Sequence, residues 1–246
     1  MKTLKSALAS LVLAGSLVST AAFAAGGDIK HADIDFSFDG PFGTYDRGAL
    51  QRGLQVYQAV CSGCHGMKFV AFRTLADENG PGLTDAQVKA FIAEAGYEVE
   101  DEEGEFQPAQ TYDYFPEIKS AGAPDMSLLA KARADGAVHI YSILTGYTGE
   151  EKEIAGTILY ENTAYPGGWI NMAPPLYGDD VEYADGREAT IENQAEDISQ
   201  FLMWAAEPTM VERKQAGVRN ILFLLIFAVM LYFVNRRLWS RIKHPE

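Results

Sequence analysis

Two cysteines three positions apart with a histidine directly after them, Cys61-Ser62-Gly63-Cys64-His65, are the residues in this chain whose types and spacing point most directly to chemistry. C-x-x-C-H is the pattern for covalent attachment of a c-type haem. Two thiols at this spacing can reach the two vinyl groups of one porphyrin, and the adjacent imidazole then lies under the iron. Two other chemistries use similar residues. A thioredoxin-like dithiol needs a βαβ setting, which the following sequence lacks. A zinc site needs further Cys or His at ligand spacing, and the remaining histidines, His31, His139 and His244, are far away in sequence. Haem c is the reading that fits, and it uses both cysteines, so no disulfide is expected.

His65 supplies one axial ligand, and the identity of the sixth ligand separates an electron carrier from a ligand-binding haem. Met67 is too close to His65 to reach the opposite face, Met230 lies in an apolar run, and Met203 and Met210 belong to the helix leading into that run and its start. Met126 and Met172 remain. Met172 stands in Asn171-Met172-Ala173-Pro174-Pro175-Leu176, where two consecutive prolines fix φ and restrict the preceding residue. Such a stiff, non-helical segment suits a thioether held against iron, so Met172 is the predicted ligand.

Helical patterns must position these groups. Leu50, Leu54, Tyr57 and Cys61 share one face of an amphipathic helix that ends at the motif, and Gly63 and Gly66 are expected to let the backbone turn tightly against a porphyrin. Thr84 with Gln87 opens a short helix with Val88, Phe91, Ile92 and Ala95 on one face. Ser127 is expected to cap another, through about Ala134. Ile191, Ala195, Ile198, Leu202 and Ala205 predict a longer helix stopped at Glu207-Pro208. Strand periodicity is weak and no internal repeat is found. The expected fold is mainly α: a cytochrome c-type haem domain with long loops over residues 25–207, then one helix over 208–240 running into a membrane.

The chain ends set the compartment. Lys2 and Lys5 precede an apolar stretch closed by Ala22-Phe23-Ala24, which reads as an export signal cut after residue 24. Ile221 to Val234 is an unbroken apolar run; begun at Ala216 it reaches about 28 Å of helix, enough to cross a hydrocarbon core. Arg236, Arg237, Arg241 and Lys243, with Trp239, follow at once and mark the cytoplasmic side. The expectation is an exported, periplasmic body, a span over about 216–234 in the bacterial inner membrane, and a basic cytoplasmic tail over 235–246.

The formal net charge of −14 averages over these compartments. Residues 25–210 hold 11 Lys+Arg against 32 Asp+Glu, a net −21, which excludes the basic face a nucleic-acid binder needs. Glu94, Glu98, Glu100, Asp101, Glu102, Glu103 and Glu105 concentrate that charge. The stretch reads either as a solvated loop held open by self-repulsion or as a surface that attracts a basic partner.

Several ordered segments resemble the cytochrome c1 family, the haem-bearing subunit of the cytochrome bc1 complex. They are Gly40-Pro41-Phe42-Gly43-Thr44-Tyr45-Asp46-Arg47, Gln51-Arg52-Gly53, Pro124-Asp125-Met126-Ser127, Leu144-Thr145-Gly146-Tyr147, the Met172 segment, Phe201-Leu202-Met203-Trp204-Ala205-Ala206-Glu207-Pro208, and Arg213-Lys214 before the anchor. The resemblance implies that Met172 is the sixth ligand and that Arg133 contacts a haem propionate. It implies nothing for Lys131, where the family usually has Arg. It further implies electron transfer from a Rieske iron–sulfur protein to a cytochrome c, with cytochrome b as a neighbour in a dimeric complex within membrane lipid. A stand-alone membrane-tethered shuttle, the haem subunit of a periplasmic dehydrogenase, and a haem sensor or peroxidase with an open sixth site share the local motif.

Overall fold

The computed structural model describes residues 29, 31–101, 103–118 and 122–243. The export-signal reading, Glu102, His244 and the end of the basic tail lie outside them. Helix α1, Arg47–Val56, opens on Asp46, whose side chain accepts from the Ala49 amide. It continues into a single π-helical turn, Tyr57–Cys61, closed by the Ser62 amide on the Tyr57 carbonyl at 2.8 Å. That wide turn adds a residue to the last coil and so sets the direction in which Cys61 leaves the helix. Leu50, Leu54 and Tyr57 are buried, as their spacing predicts, and Cys61 packs at the edge of the core.

Helix α2, Asp85–Ala95, begins with the expected reciprocal cap between Thr84 and Gln87. The helix expected from Ser127 to Ala134 is a run of tight turns, and the regular helix α3 starts later, at Gly136–Thr145. Ser127 cannot serve as the cap because its hydroxyl accepts from the Phe69 amide, a contact that ties this segment to the haem motif. Helix α4 spans Ile191–Ala206 and ends before Pro208 as predicted, and α5 runs from Met210 to Lys243.

Two small antiparallel sheets were not legible in the sequence. Strands β1, Glu98–Glu100, and β2, Phe106–Pro108, pair around the acidic stretch. Asp101 closes that hairpin by accepting from the Glu103 and Glu105 amides and from the Gln107 side chain, so the segment is a built turn and not a loop held open by repulsion. Its carboxyl is held below the usual range, chiefly by the Glu105 amide. Strands β3, Tyr147–Ile154, β4, Thr157–Asn162, and β5, Trp169–Ile170, form the second sheet in the order β3-β4-β5. Ala155 and Gly156, both at positive φ, make the two-residue turn between β3 and β4. β3 carries mostly charged and exposed residues, which conceals it from a periodicity test.

The core forms where α1 crosses α4. Tyr57, Phe72, Phe115, Phe201 and Trp204 are fully buried there, and their rings contact one another edge-on or tilted. Gly53 makes the crossing possible, because a Cβ at that position would collide with the Asp197 carbonyl and the Phe201 side chain. Beside it, Asp197, with a fully buried side chain, accepts from Arg52 on α1 and from Arg187, closing the crossing with a charged clamp. A second cluster packs Phe36 and Phe38 against Ala137 of α3 and Met210 of α5. Beyond it, α5 is bare: its large apolar side chains from Ile221 to Val234 are all exposed, and its best 18-residue window has mean hydropathy 2.2.

Gly53→Ala tests the crossing. In an exposed helix this change stabilises by up to about 1 kcal/mol, whereas here overpacking against backbone should cost about 3 kcal/mol. Thermal unfolding of the haem-loaded protein should show a lower midpoint; a midpoint at or above that of the wild type contradicts the packing described.

Candidate haem site

The motif leaves the π-helical turn and folds back on itself, with the Cys64 and His65 amides both bonded to the Cys61 carbonyl at 3.1 and 2.9 Å. The buried Tyr57 hydroxyl donates to the His65 carbonyl at 2.9 Å, so α1 both delivers the motif and fixes its far end. Cys64 is exposed. Burial pushes the Cys61 thiol up to about 12, opposite to the lowered value a redox dithiol requires.

His65 Nδ1 lies 2.8 Å from the Pro124 carbonyl. A carbonyl only accepts, so Nδ1 carries the proton and Nε2 keeps its lone pair for a metal. Pro124 is held in turn by its neighbours. Asp125 Oδ2 accepts from the Lys68 amide at 3.0 Å and Oδ1 from the Ser127 amide at 2.9 Å, while Met126 donates from its amide to the Gly66 carbonyl at 2.8 Å. The segment 124–127 is therefore clamped along the motif on its His65 side. Gly66 is needed for the close approach of a separate segment, residues 116–118, and not for an unusual turn: its φ is not positive, and a Cβ would strike the Pro116 carbonyl. Gly63 faces open space, so the expected tight turn at these two glycines is replaced by one close approach, at Gly66.

The methionines sort by position. Met67 is fully buried and Met126 nearly so within the main core, Met210 sits in the second cluster, Met203 packs against both, and Met230 is exposed on the bare part of α5. Met126 follows two residues after Pro124, the acceptor of His65 Nδ1, and its amide is bonded to the Gly66 carbonyl. Met172 is half-buried, just past β5, and its carbonyl accepts from the Tyr147 hydroxyl at 2.9 Å. Arg133 is exposed, and among the described residues its guanidinium donates to the neighbouring Ala132 carbonyl at 3.3 Å. Lys131 pairs with Glu207 at 3.0 Å and is committed to structure.

The donor set fits a c-type haem: two free thiols at attachment spacing, an imidazole with an oriented Nε2, a thioether on a stiff segment, and an arginine with no carboxylate partner among the described residues. Pro124, Asp125 and Tyr147 were not singled out from the sequence for any role. Asp125 and Ser127 form an Asx turn, a local signal that could have been read, whereas the reach of Pro124 and Tyr147 to distant partners leaves no local trace.

The model of the cytochrome C1 family matches residues 36–242. The chain belongs to the cytochrome c1 family. The match takes in both clusters and all of the clamp around His65. Cytochrome c1 of Cereibacter sphaeroides is 42% identical over 93% of this chain and 93% of its own length. The cytochrome b-c1 complex catalytic subunit of Candida albicans is 35% identical over 96% of this chain and 86% of its own length. A longer protein of Bradyrhizobium diazoefficiens, named cytochrome b/c1, is 37% identical over 97% of this chain and 40% of its own length. Membership supports a role in a cytochrome bc1 complex and implies a c-type haem.

Asp125→Ala removes the acceptor of two backbone amides and should cost about 1–3 kcal/mol in the haem-loaded protein. It should also broaden the ferric low-spin EPR signal as the imidazole loses its fixed orientation. A sharp, unshifted signal with unchanged stability would show that Asp125 does not hold the His65 support in place.

Proposed function

We propose that this chain is the haem c1 subunit of a ubiquinol–cytochrome c oxidoreductase, taking one electron from a Rieske iron–sulfur protein and passing it to a cytochrome c. The observation that carries the reading is the orientation of His65 within C-x-x-C-H, with its Nδ1 proton spent on Pro124 and Nε2 left to coordinate. When bound, a haem supplies a one-electron iron couple at a potential set by its axial ligands and surroundings. Cys61 and Cys64 would hold one haem through two thioethers, His65 and Met172 would be its axial ligands, and Arg133 would neutralise a propionate. The thioether of His/Met ligation would raise the potential, and a filled sixth position would close the iron to oxygen, which separates a carrier from a sensor or peroxidase.

The remaining assignments follow the same reading. Residues 1–24 would be an export signal, residues 25–207 the periplasmic haem domain, about 216–234 of α5 the single span of the bacterial inner membrane, and 235–246 a cytoplasmic tail. Relatives named for cytochrome b/c1 and for the cytochrome b-c1 complex support cytochrome b and a Rieske protein as neighbours, in a dimeric assembly. The −21 of residues 25–210 would draw in a basic cytochrome c from a distance.

Capture of the tagged full-length chain from membranes in mild detergent should bring down cytochrome b and a Rieske protein; recovery of the haem protein without them would favour a stand-alone shuttle. Stopped-flow reduction of a basic cytochrome c should slow by about tenfold or more as salt shortens the Debye length. A rate indifferent to ionic strength contradicts the steering. Carbon monoxide binding by the reduced protein would contradict the closed sixth position.

A further inference from the structure

Where the folded domain meets α5, the loop from Pro41 to Thr44 stands off the first turns of the helix and encloses a cavity of about 430 Å³. Phe42, Thr44, Lys214, Val218, Arg219 and Leu222 line it. We propose that this cavity binds the headgroup of an anionic phospholipid from the leaflet that faces the haem domain, with an acyl chain lying along α5. The inference rests on α5 being a membrane span and on nothing about the haem.

Charge is the first argument. In a domain whose residues 25–210 carry −21, the cavity is bordered by two cations that have no acid partner among the described residues. Among the described residues Lys214 donates to the Phe38 and Gly43 carbonyls and to no carboxylate, which straps the loop to the helix and leaves its charge unpaired there. Arg219 is exposed and has no hydrogen bond or ion pair among the described residues. Their neighbours on the same turns are committed otherwise: Arg213 pairs with Glu207, and Glu212 accepts from Asn79. An anion can approach this corner with two positive charges to meet it, against one nearby carboxylate, Glu212, which is turned to the Asn79 side chain.

Depth is the second. Lys214 and Arg219 are five residues apart, about 7.5 Å of helix, which matches the thickness of one headgroup layer. Leu222, one turn beyond Arg219, opens the bare apolar surface. Leu222, Ile226, Val229 and Phe233 recur at helical spacing, continuing the same stripe that lines the cavity, and each is more than half exposed. A headgroup in the cavity therefore places its acyl chain on that stripe without crossing a polar residue. Phe42 is 78% exposed at the mouth, an unfavourable position in water and a favourable one at a membrane interface.

The test uses the full-length haem-loaded chain in phosphatidylcholine bilayers containing phosphatidylglycerol, with a photoactivatable acyl group on either lipid and crosslinks mapped by peptide mass spectrometry. Phosphatidylglycerol should label the 41–44 loop and the first exposed turns of α5 in preference to phosphatidylcholine. One cation near an anionic surface contributes enough that Arg219→Gln should lower this labelling about fivefold, with labelling by phosphatidylcholine unchanged. Arg236→Gln, at the other end of the span, should leave it unchanged. Equal labelling by the two lipids, or no change in Arg219→Gln, would overturn the site while labels over residues 224–234 still report the span. Absence of label at 41–44 when the same experiment is run on the captured complex would show that a neighbouring subunit fills the cavity, and would overturn it as well. Absence of label from 224–234 would overturn the membrane span itself.

Discussion

The hydrogen bond from the Nδ1–H of His65 to the Pro124 carbonyl, 2.8 Å long, decides which ring nitrogen can meet a metal and at what angle. One bond of this kind cannot hold an imidazole unless its acceptor is fixed, and most of the structure around it serves that end. Asp125 takes two backbone amides so that Pro124 cannot drift, the Gly66 carbonyl accepts from the Met126 amide, and Tyr57 pins the His65 carbonyl from the core. Tyr57 is placed by the α1–α4 crossing, which depends on Gly53 having no side chain. The chain of dependence thus runs from a missing methyl group at position 53 to the free lone pair on His65.

The same support reaches the membrane-facing end of the domain. Lys131, in the run of turns that precedes α3, pairs with Glu207, which also binds Arg213 at the start of α5. The Tyr45 hydroxyl donates to the Glu207 carbonyl at 2.9 Å. Burial pushes the Glu207 carboxyl up, and the hydrogen bonds from Arg213 and Lys131 outweigh it, so the group stays ionised below the ordinary glutamate range. The segment that carries the His65 support and the helix that enters the membrane are therefore fastened to one carboxylate.

The residues proposed to hold the haem could be picked out from the sequence because their signals are local. C-x-x-C-H is a five-residue signal, the stiffness of Met172 comes from the two prolines beside it, and α1, α2, α4 and α5 show in apolar spacing and caps. What the sequence hid is non-local or carries the wrong period. Strand β3 reads as a charged loop because its partner β4, and not burial, holds it extended. Ser127 looks like a helix cap and is spent on Phe69, which displaces the helix to Gly136. Pro124 and Tyr147 act across long sequence separations, through a carbonyl and a hydroxyl that no spacing rule marks.

The central claim is that His65 and Met172 face each other across one haem. In the reduced, diamagnetic full-length protein labelled with methyl-¹³C methionine, NMR should show one methyl carried far upfield by the porphyrin ring current, and Met172→Leu should abolish that resonance alone. A shifted methyl that survives Met172→Leu, or is lost only in Met126→Leu, would contradict the account, as would a spectrum with no shifted methyl at all.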